Sequence, residues 1–316
     1  MSSKRHKKGT LDMNVSYAWR TFLICVAALA AAASARAADV EYGRFHHVHL
    51  NVTDPAKTQN FYEKYFGAVK IDYYDKFPAL FVERSFILLN KVNSSPPHAP
   101  HTAISHIGWS TVDGQSAFKW LKENNVPFET EIGQLGNNYG MYVYGPDKEL
   151  AELWTGSRNH RFEHIHLWAT DVEVSAGWFR DHIGLPARIA PQPTLKDREN
   201  IAAIRMGFLQ SDNVNLVFFG RPNFESRWWP GGSFTEKDAP KGDFKPTQGH
   251  TIDHIAFSYR DIAPVFDRMK AAGVTIVEPI ATRADVGHKS FFVLAPDSVL
   301  VEIVEARPIP DSSWEK

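Results

Sequence analysis

A fourfold internal repeat constrains this chain more than any other feature. The segments His47-Val-His-Leu-Asn-Val-Thr-Asp54, His106-Ile-Gly-Trp-Ser-Thr-Val-Asp113, His164-Ile-His-Leu-Trp-Ala-Thr-Asp171 and His254-Ile-Ala-Phe-Ser-Tyr-Arg-Asp261 share one pattern. In each, a β-branched residue follows the His and an Asp stands seven places on. Such self-similarity marks one supersecondary unit copied along a chain. The alternating residues after each His predict a strand. The Asp predicts a helix N-cap, its carboxylate accepting from the first free N–H groups. Pro55 suits a first helical position. The helices are expected to run to about Phe66, Asn125, Ile183 and Ala272, with Gly67, Gly184 and Gly273 as left-handed stops.

Extended segments follow each helix, separated by turn residues. They are Ala79–Val82 and Ser85–Leu89, Gly140–Tyr144 and Leu150–Trp154, Ile201–Met206 and Val214–Phe219, and Ser290–Leu294 and Leu300–Val304. The expectation is an α+β chain of four βαβββ modules. Modules two and four share a further motif: Gly145-Pro-Asp-Lys-Glu-Leu-Ala-Glu152 matches Ala295-Pro-Asp-Ser-Val-Leu-Val-Glu302. The Pro-Asp marks a turn. The final Glu lies within an otherwise apolar strand, where a carboxylate is costly unless something neutralises it.

Upstream of the repeats, Lys4, Arg5, Lys7, Lys8 and Arg20 precede the apolar run Phe22–Ala33, and Ala35-Arg36-Ala37 offers a cleavage site. Residues 1–38 therefore read as a secretory signal peptide cleaved near Ala37, which implies a periplasmic or secreted protein. Met13 offers an alternative start. The apolar run is shorter than the roughly 20 residues a bilayer span needs, so no membrane span is expected in the mature chain. The one Cys, Cys25, lies in that run, so any metal must be held by His, Asp or Glu. A net charge of −1 gives no basic excess for nucleic acid. The length suggests two domains, expected at 40–158 (modules one and two) and 160–310 (modules three and four), with an insertion at 220–250.

The unit with His opening its first strand and Glu in its last resembles the vicinal-oxygen-chelate superfamily, which includes glyoxalase I, bleomycin-resistance proteins and extradiol dioxygenases. The resemblance covers nearly all of the chain after residue 38. It implies that modules pair and that their sheets curl around a divalent metal held by first- and last-strand residues. It groups His164, His254 and Glu302 as one 2-His-1-carboxylate triad, and His47, His106 and Glu152 as another. Such a triad leaves open positions on the ion. Fe(II) is favoured, with Mn, Zn, Ni or Co as alternatives. The dioxygenase pattern has a Tyr ten residues before the Glu; here Tyr142 fills that place in one half and Phe292 in the other. The pattern's acid-base His is replaced by Ala239, with His288 and His250 as substitutes to consider.

Period two puts His49 and His166 on the ligand face, as substrate contacts or ligand supports. Tyr142, His49, His166 and His288 are thus the candidate catalytic residues. His46 is expected on the opposite face, and His98, His101, His160 and His182 toward solvent. Phe61-Tyr62 and Trp178-Phe179 are expected in the core. Trp154 and Trp168 would line the site, and Trp228-Trp229 form a lid or a strap. The leading expectation is dioxygenase-like chemistry on a small chelating substrate. The alternatives are a glyoxalase-type lyase or isomerase, and a non-catalytic binding protein. Whether copies of the chain associate as a homo-oligomer is left open.

Overall fold

The computed structural model describes residues 41–97, 102–135, 137–155, 158–189, 206–211, 214–220 and 243–306. The leader, Cys25, His98, His101, Trp228, Trp229, Ala239 and most of the strand expected at 201–206 lie outside the described residues. The described residues from Tyr42 onward form one compact unit.

Each repeat folds as one module. Module one comprises β1 (Arg44–Val52), α1 (Pro55–Phe66), β2 (Val69–Tyr73), β3 (Phe77–Val82) and β4 (Ser85–Lys91). Module two comprises β5 (Ile104–Thr111), α2 (Gly114–Glu123), β6 (Phe128–Leu135), β7 (Asn138–Tyr144) and β8 (Leu150–Thr155). Module three comprises β9 (Arg161–Ala169), α3 (Val172–Trp178), β10 (Ala187–Ile189), β11 (Met206–Ser211) and β12 (Val214–Gly220). A π-helical turn, Phe179–Ile183, extends α3. Module four comprises β13 (Ile252–Tyr259), α4 (Ala263–Ala271), β14 (Thr275–Arg283), β15 (His288–Ala295) and β16 (Val299–Glu305).

The helix boundaries follow the capping chemistry. Asp54 accepts from the Lys57 N–H, Asp113 from Ser116 and Asp171 from Glu173 and Val174, which satisfies the first free donors of each helix. Gly67 and Gly184 close their helices in the left-handed region at φ 70° and 88°. Asp261 departs from the expected pattern. The capping position is Ile262, and Asp261 accepts from the Ala263 N–H one residue early.

Two eight-stranded sheets result. Sheet I runs β14-β15-β16-β13-β1-β4-β3-β2, and sheet II runs β10-β11-β12-β9-β5-β8-β7-β6. The modules do pair, but chain neighbours one and two do not share a sheet, nor do three and four. Module one pairs with module four through antiparallel β1 and β13, and module two with module three through β5 and β9. Link lengths explain the choice. Residue Thr155 at the end of β8 sits beside Thr111, while Arg161 at the start of β9 sits beside Ser110. The five residues 156–160 therefore have only about 10 Å to cross at one end of sheet II. The links on either side, 92–103 and 221–251, are longer and change sheets.

The shared Pro-Asp motif clasps the sheets together. Asp147 accepts from the backbone N and hydroxyl of Thr53 at 3.0 and 2.8 Å. Asp297 accepts from the Thr170 N–H and the Ser175 hydroxyl at 3.1 and 2.8 Å. Each turn thus grips the residue before, or a residue within, a helix belonging to the other sheet. One hydrophobic core spans the two sheets, combining Val48 and Leu50 of β1 with Ile107 and Trp109 of β5. Tyr62 and Phe179 are buried in it, with Phe61 and Trp178 packed at its edge, as expected of both aromatic pairs.

Candidate metal centre

On each sheet the opening strands alternate, apolar residues toward the core and His toward the other face. In sheet I this face holds His47 and His49 of β1, His254 of β13 and Glu302 of β16. Nε2 of His47 lies 3.1 Å from Glu302 Oε2 and 3.4 Å from His254 Nε2, and His254 Nε2 lies 3.4 Å from the same oxygen. In sheet II, Glu152 Oε2 lies 3.1 Å from His106 Nε2 and 2.8 Å from His164 Nε2. The triads are therefore His47, His254, Glu302 and His106, His164, Glu152. This corrects the expected grouping: His164 and His47 change places because the modules pair one with four and two with three. Ligands on one octahedral face lie about 1.4 bond lengths apart, so these spacings correspond to bonds of about 2.0–2.4 Å to a cation between them.

A β-bulge precedes every one of the four opening histidines. The register shifts leave His46, Asp253, Ser105 and Glu163 as the extra residues. A bulge turns its side chain out of the strict alternation. Each of these residues reaches Nδ1 of the following His: His46 Nδ1 at 2.8 Å, Asp253 Oδ1 at 2.6 Å, Ser105 Oγ at 3.1 Å and Glu163 Oε2 at 3.5 Å. Every imidazole is held from behind, and its Nε2 is directed into the triad. His46 therefore joins the site, and the bulge is the reason that it does not face away as period two predicts.

All six triad side chains are buried, none more than 7% exposed. Burial alone would lift the two carboxyls. Hydrogen bonds from His254, His288 and His47 to Glu302, and from His106 and His164 to Glu152, outweigh it and hold both well below the usual carboxylate range. Burial drives His47 down to about 3 and lowers His106. His254 and His164 are also opposed by burial. Contacts with two carboxylates each, Asp253 and Glu302, or Glu152 and Glu163, prevail and raise both to about 9.

Around sheet II's triad, Tyr142 is buried and hydrogen-bonds Glu152. Nδ1 of His166 lies 3.2 Å from His106 Nε2. Its Nε2 is buried with no partner, and the ring packs against Phe219 and Trp168. In sheet I, the ring of His49 lies 4.6 Å from that of His254. Phe292 faces His254 under the Arg283 guanidinium. His288 donates no open acid-base nitrogen to this site; its Nε2 contacts Glu302 Oε1 at 2.9 Å. Sequence reasoning missed His46, Tyr73, Asp253, Ser105, Glu163 and Gly108. A Cβ at Gly108 would lie 2.1 Å from His164 Cε1, so this glycine makes room for the ring.

His160 is exposed and His182 half-exposed. Trp168 is buried beside His166, whereas Trp154 is half-buried. A hollow of about 500 Å³ between α1 and α2, lined by Tyr65, Phe66, Trp109 and Trp120, contains none of the triad side chains. Among the described residues no helix is long and apolar enough to cross a membrane.

Paired βαβββ modules with an inward His, His, Glu set on each sheet define a class of metal-chelating folds. The sequence pattern of the Glyoxalase/Bleomycin resistance protein/Dioxygenase superfamily matches residues 44–153 and 161–303, and the chain belongs to that superfamily. Glyoxalase I from Zea mays is similar over 83% of this chain and 92% of its own, with 16% identity and a TM-score of 0.61. A putative dioxygenase from Bacillus subtilis is similar over 87% of this chain and 88% of its own, with 14% identity and a TM-score of 0.58. No curated protein sequence matches significantly. At these identities the two structures speak for the fold alone.

Proposed function

We propose that the chain is a metal-dependent enzyme acting on a small molecule with two neighbouring oxygens, and that its chemistry is dioxygenase-like. The observation that carries this reading is the convergence of two Nε2 atoms and one carboxylate oxygen on each sheet, with each Nδ1 backed. The pseudo-symmetry supplies no second carboxylate to either sheet, although His49 stands close enough to His47 and His254 to be a further donor. Glu302 stands opposite Ala256, and the corresponding place in module one, opposite His49, is Leu88. In sheet II the place corresponding to Glu152 is Val217, opposite His166. Three donors would leave open positions on the ion for substrate.

A divalent cation held there would act as a Lewis acid and template for the chelating oxygens. The chain's own residues do the rest. Sheet II carries the more complete set. His166 presents an unpartnered Nε2, and burial holds it well below its usual pKa, so it is a neutral base. Tyr142 adds a hydroxyl at the carboxylate. Trp168 and Phe219 shield the ring of His166 from water. Sheet I has Phe292 in place of Tyr142, so turnover is assigned to sheet II.

The test is anaerobic reconstitution with Fe(II), followed by oxygen uptake with catechols. Uptake is expected from the wild type and from His254→Ala, with at least a hundredfold loss in His106→Ala; absence of uptake with every catechol tried removes the dioxygenase version. The free Nε2 of His166 favours a second reading, proton transfer in a lyase or isomerase reaction. Turnover of a vicinal dicarbonyl adduct sustained by Zn(II), with no oxygen consumed, would select it. Binding of metal and ligand without turnover would select a sequestering protein. The setting we propose is the periplasm or the cell exterior, supported by the leader read in residues 1–38. N-terminal sequencing of the protein from its host is the check.

A further inference from the structure

Sheet I carries a closed ring of contacts beside its triad. Five contacts close a ring through five buried side chains. His46 Nδ1 meets His47 Nδ1 at 2.8 Å, and His46 Nε2 meets the Tyr73 hydroxyl at 3.2 Å. That hydroxyl meets His288 Nδ1 at 3.3 Å, and His288 Nε2 meets Glu302 Oε1 at 2.9 Å. Glu302 Oε2 then returns to His47 Nε2 at 3.1 Å. None of the five residues is more than 6% exposed, so water does not complete the ring.

Hydrogen counting gives the ring a direction. Three neutral imidazoles and one phenol carry four hydrogens, one each. When a cation sits between His47 Nε2 and Glu302 Oε2, that contact ceases to be a hydrogen bond and four remain. Four hydrogens satisfy four contacts in one arrangement only. His47 Nδ1–H donates to His46 Nδ1, and His46 Nε2–H donates to the Tyr73 oxygen. Tyr73 O–H donates to His288 Nδ1, and His288 Nε2–H donates to Glu302 Oε1. Both ends of this chain are triad members. It fixes the His47 tautomer that exposes the Nε2 lone pair, and it holds the free oxygen of the ligating carboxylate.

From this closed geometry we propose that His46, Tyr73 and His288 are positioning residues that select the metal-binding tautomer of His47 and orient Glu302 in sheet I. Their effect is expected in that sheet, because Tyr73 lies on β2 and both ends of the chain of contacts are members of the sheet I triad. The inference rests on the metal reading of the triads, and it is separable from it. Outer partners of metal ligands are worth about 10–100-fold in affinity.

The test uses Zn(II) alone with the full-length chain, titrated against a chromophoric chelator in a Glu152→Gln background that silences sheet II. Tyr73→Phe keeps the ring's volume but cuts the chain, and it is expected to raise the Zn(II) Kd by about 10–100-fold. His288→Gln keeps an N–H toward Glu302 and is expected to lose less than His288→Ala. Long-range 15N–1H spectra of the Zn-loaded protein are expected to show the proton of His47 on Nδ1 and those of His46 and His288 on Nε2. A variant that merely loosened the fold would not produce that set of tautomers. Unchanged affinity in Tyr73→Phe, or a loaded His47 protonated on Nε2, overturns the proposal while leaving the metal reading standing. No Zn(II) bound by the wild type at either sheet overturns both.

Discussion

Sheet I and sheet II hold the same triad in the same register, yet their protons are placed differently. In sheet I the imidazole raised to about 9 is His254, which shares a module with Glu302. In sheet II it is His164, which does not share a module with Glu152. What the raised pair have in common is a carboxylate in the bulge behind them, Asp253 or Glu163. His47 and His106, backed by His46 and Ser105, are both pulled down by burial. In both sheets the raised imidazole is the one with a second carboxylate inserted behind it, added to the carboxylate of the triad. The two sheets carry two copies of one site, and the residues in four single-residue bulges make them unequal.

The largest difference between the sheets is expected at Gly108. Its counterpart in sheet I is Ala256, opposite His47, where a methyl is accommodated. In sheet II a methyl would overlap the His164 ring. Gly108→Ala is expected to weaken Zn(II) binding at sheet II by more than about a hundredfold and to lower zinc content from two ions per chain to one. Two ions retained, measured by elemental analysis, would show the ring has another seat.

A second difference lies in the clasps. Glu149 of the first Pro-Asp motif is replaced by Val299 in the second. Burial, the dominant influence, lifts the Glu149 carboxyl to about 7, although Tyr62 hydrogen-bonds it. A carboxyl raised on folding stabilises most below its unfolded value and loses that stabilisation as pH rises through the folded one. The window runs from 4.5 to about 7, and the loss is about 3 kcal/mol. Glu149→Gln is expected to remove that fall between pH 5 and 8 in urea unfolding; an identical fall in the variant would place its origin elsewhere.

The smallest effect is expected from converting one backing residue into its counterpart. Asp253→Ser copies Ser105 into sheet I. It is expected to lower the His254 titration by about one to two units, roughly 1–3 kcal/mol, in NMR of the metal-free protein. A His254 that still titrates near its wild-type value would assign the shift to Glu302 alone.

Much of this was legible because it is local. The N-cap Asp residues, the glycine stops and the alternation in the opening strands depend on neighbours within a few positions. The chemistry of the six triad residues was legible too, since a Glu in an apolar strand demands a partner. Which triad each His joins was not, because all four openings carry the same pattern and any two could pair. The signal that separates them is link length, five residues between modules two and three. The bulges were not legible either. One extra residue leaves the hydrophobic pattern almost unchanged, yet it turns His46 inward and brings Tyr73 and His288 into the same network. Gly108 looked like an ordinary strand residue until the ring it makes room for was in view.

The pairing of modules is nested like brackets, and this orders assembly during synthesis. The partners His106 and His166 are 60 residues apart, whereas His47 and His254 are 207 apart. Closing the outer bracket from a flexible chain costs about 1 kcal/mol more in loop entropy than closing the inner one. The inner pair is complete once residue 220 has emerged from the ribosome, while β1 must wait, its partner strand still unmade, for most of the remaining chain. Until then the first-made strand is an open edge with two of its histidines unpartnered, and that interval is when this protein is most exposed to wrong pairing.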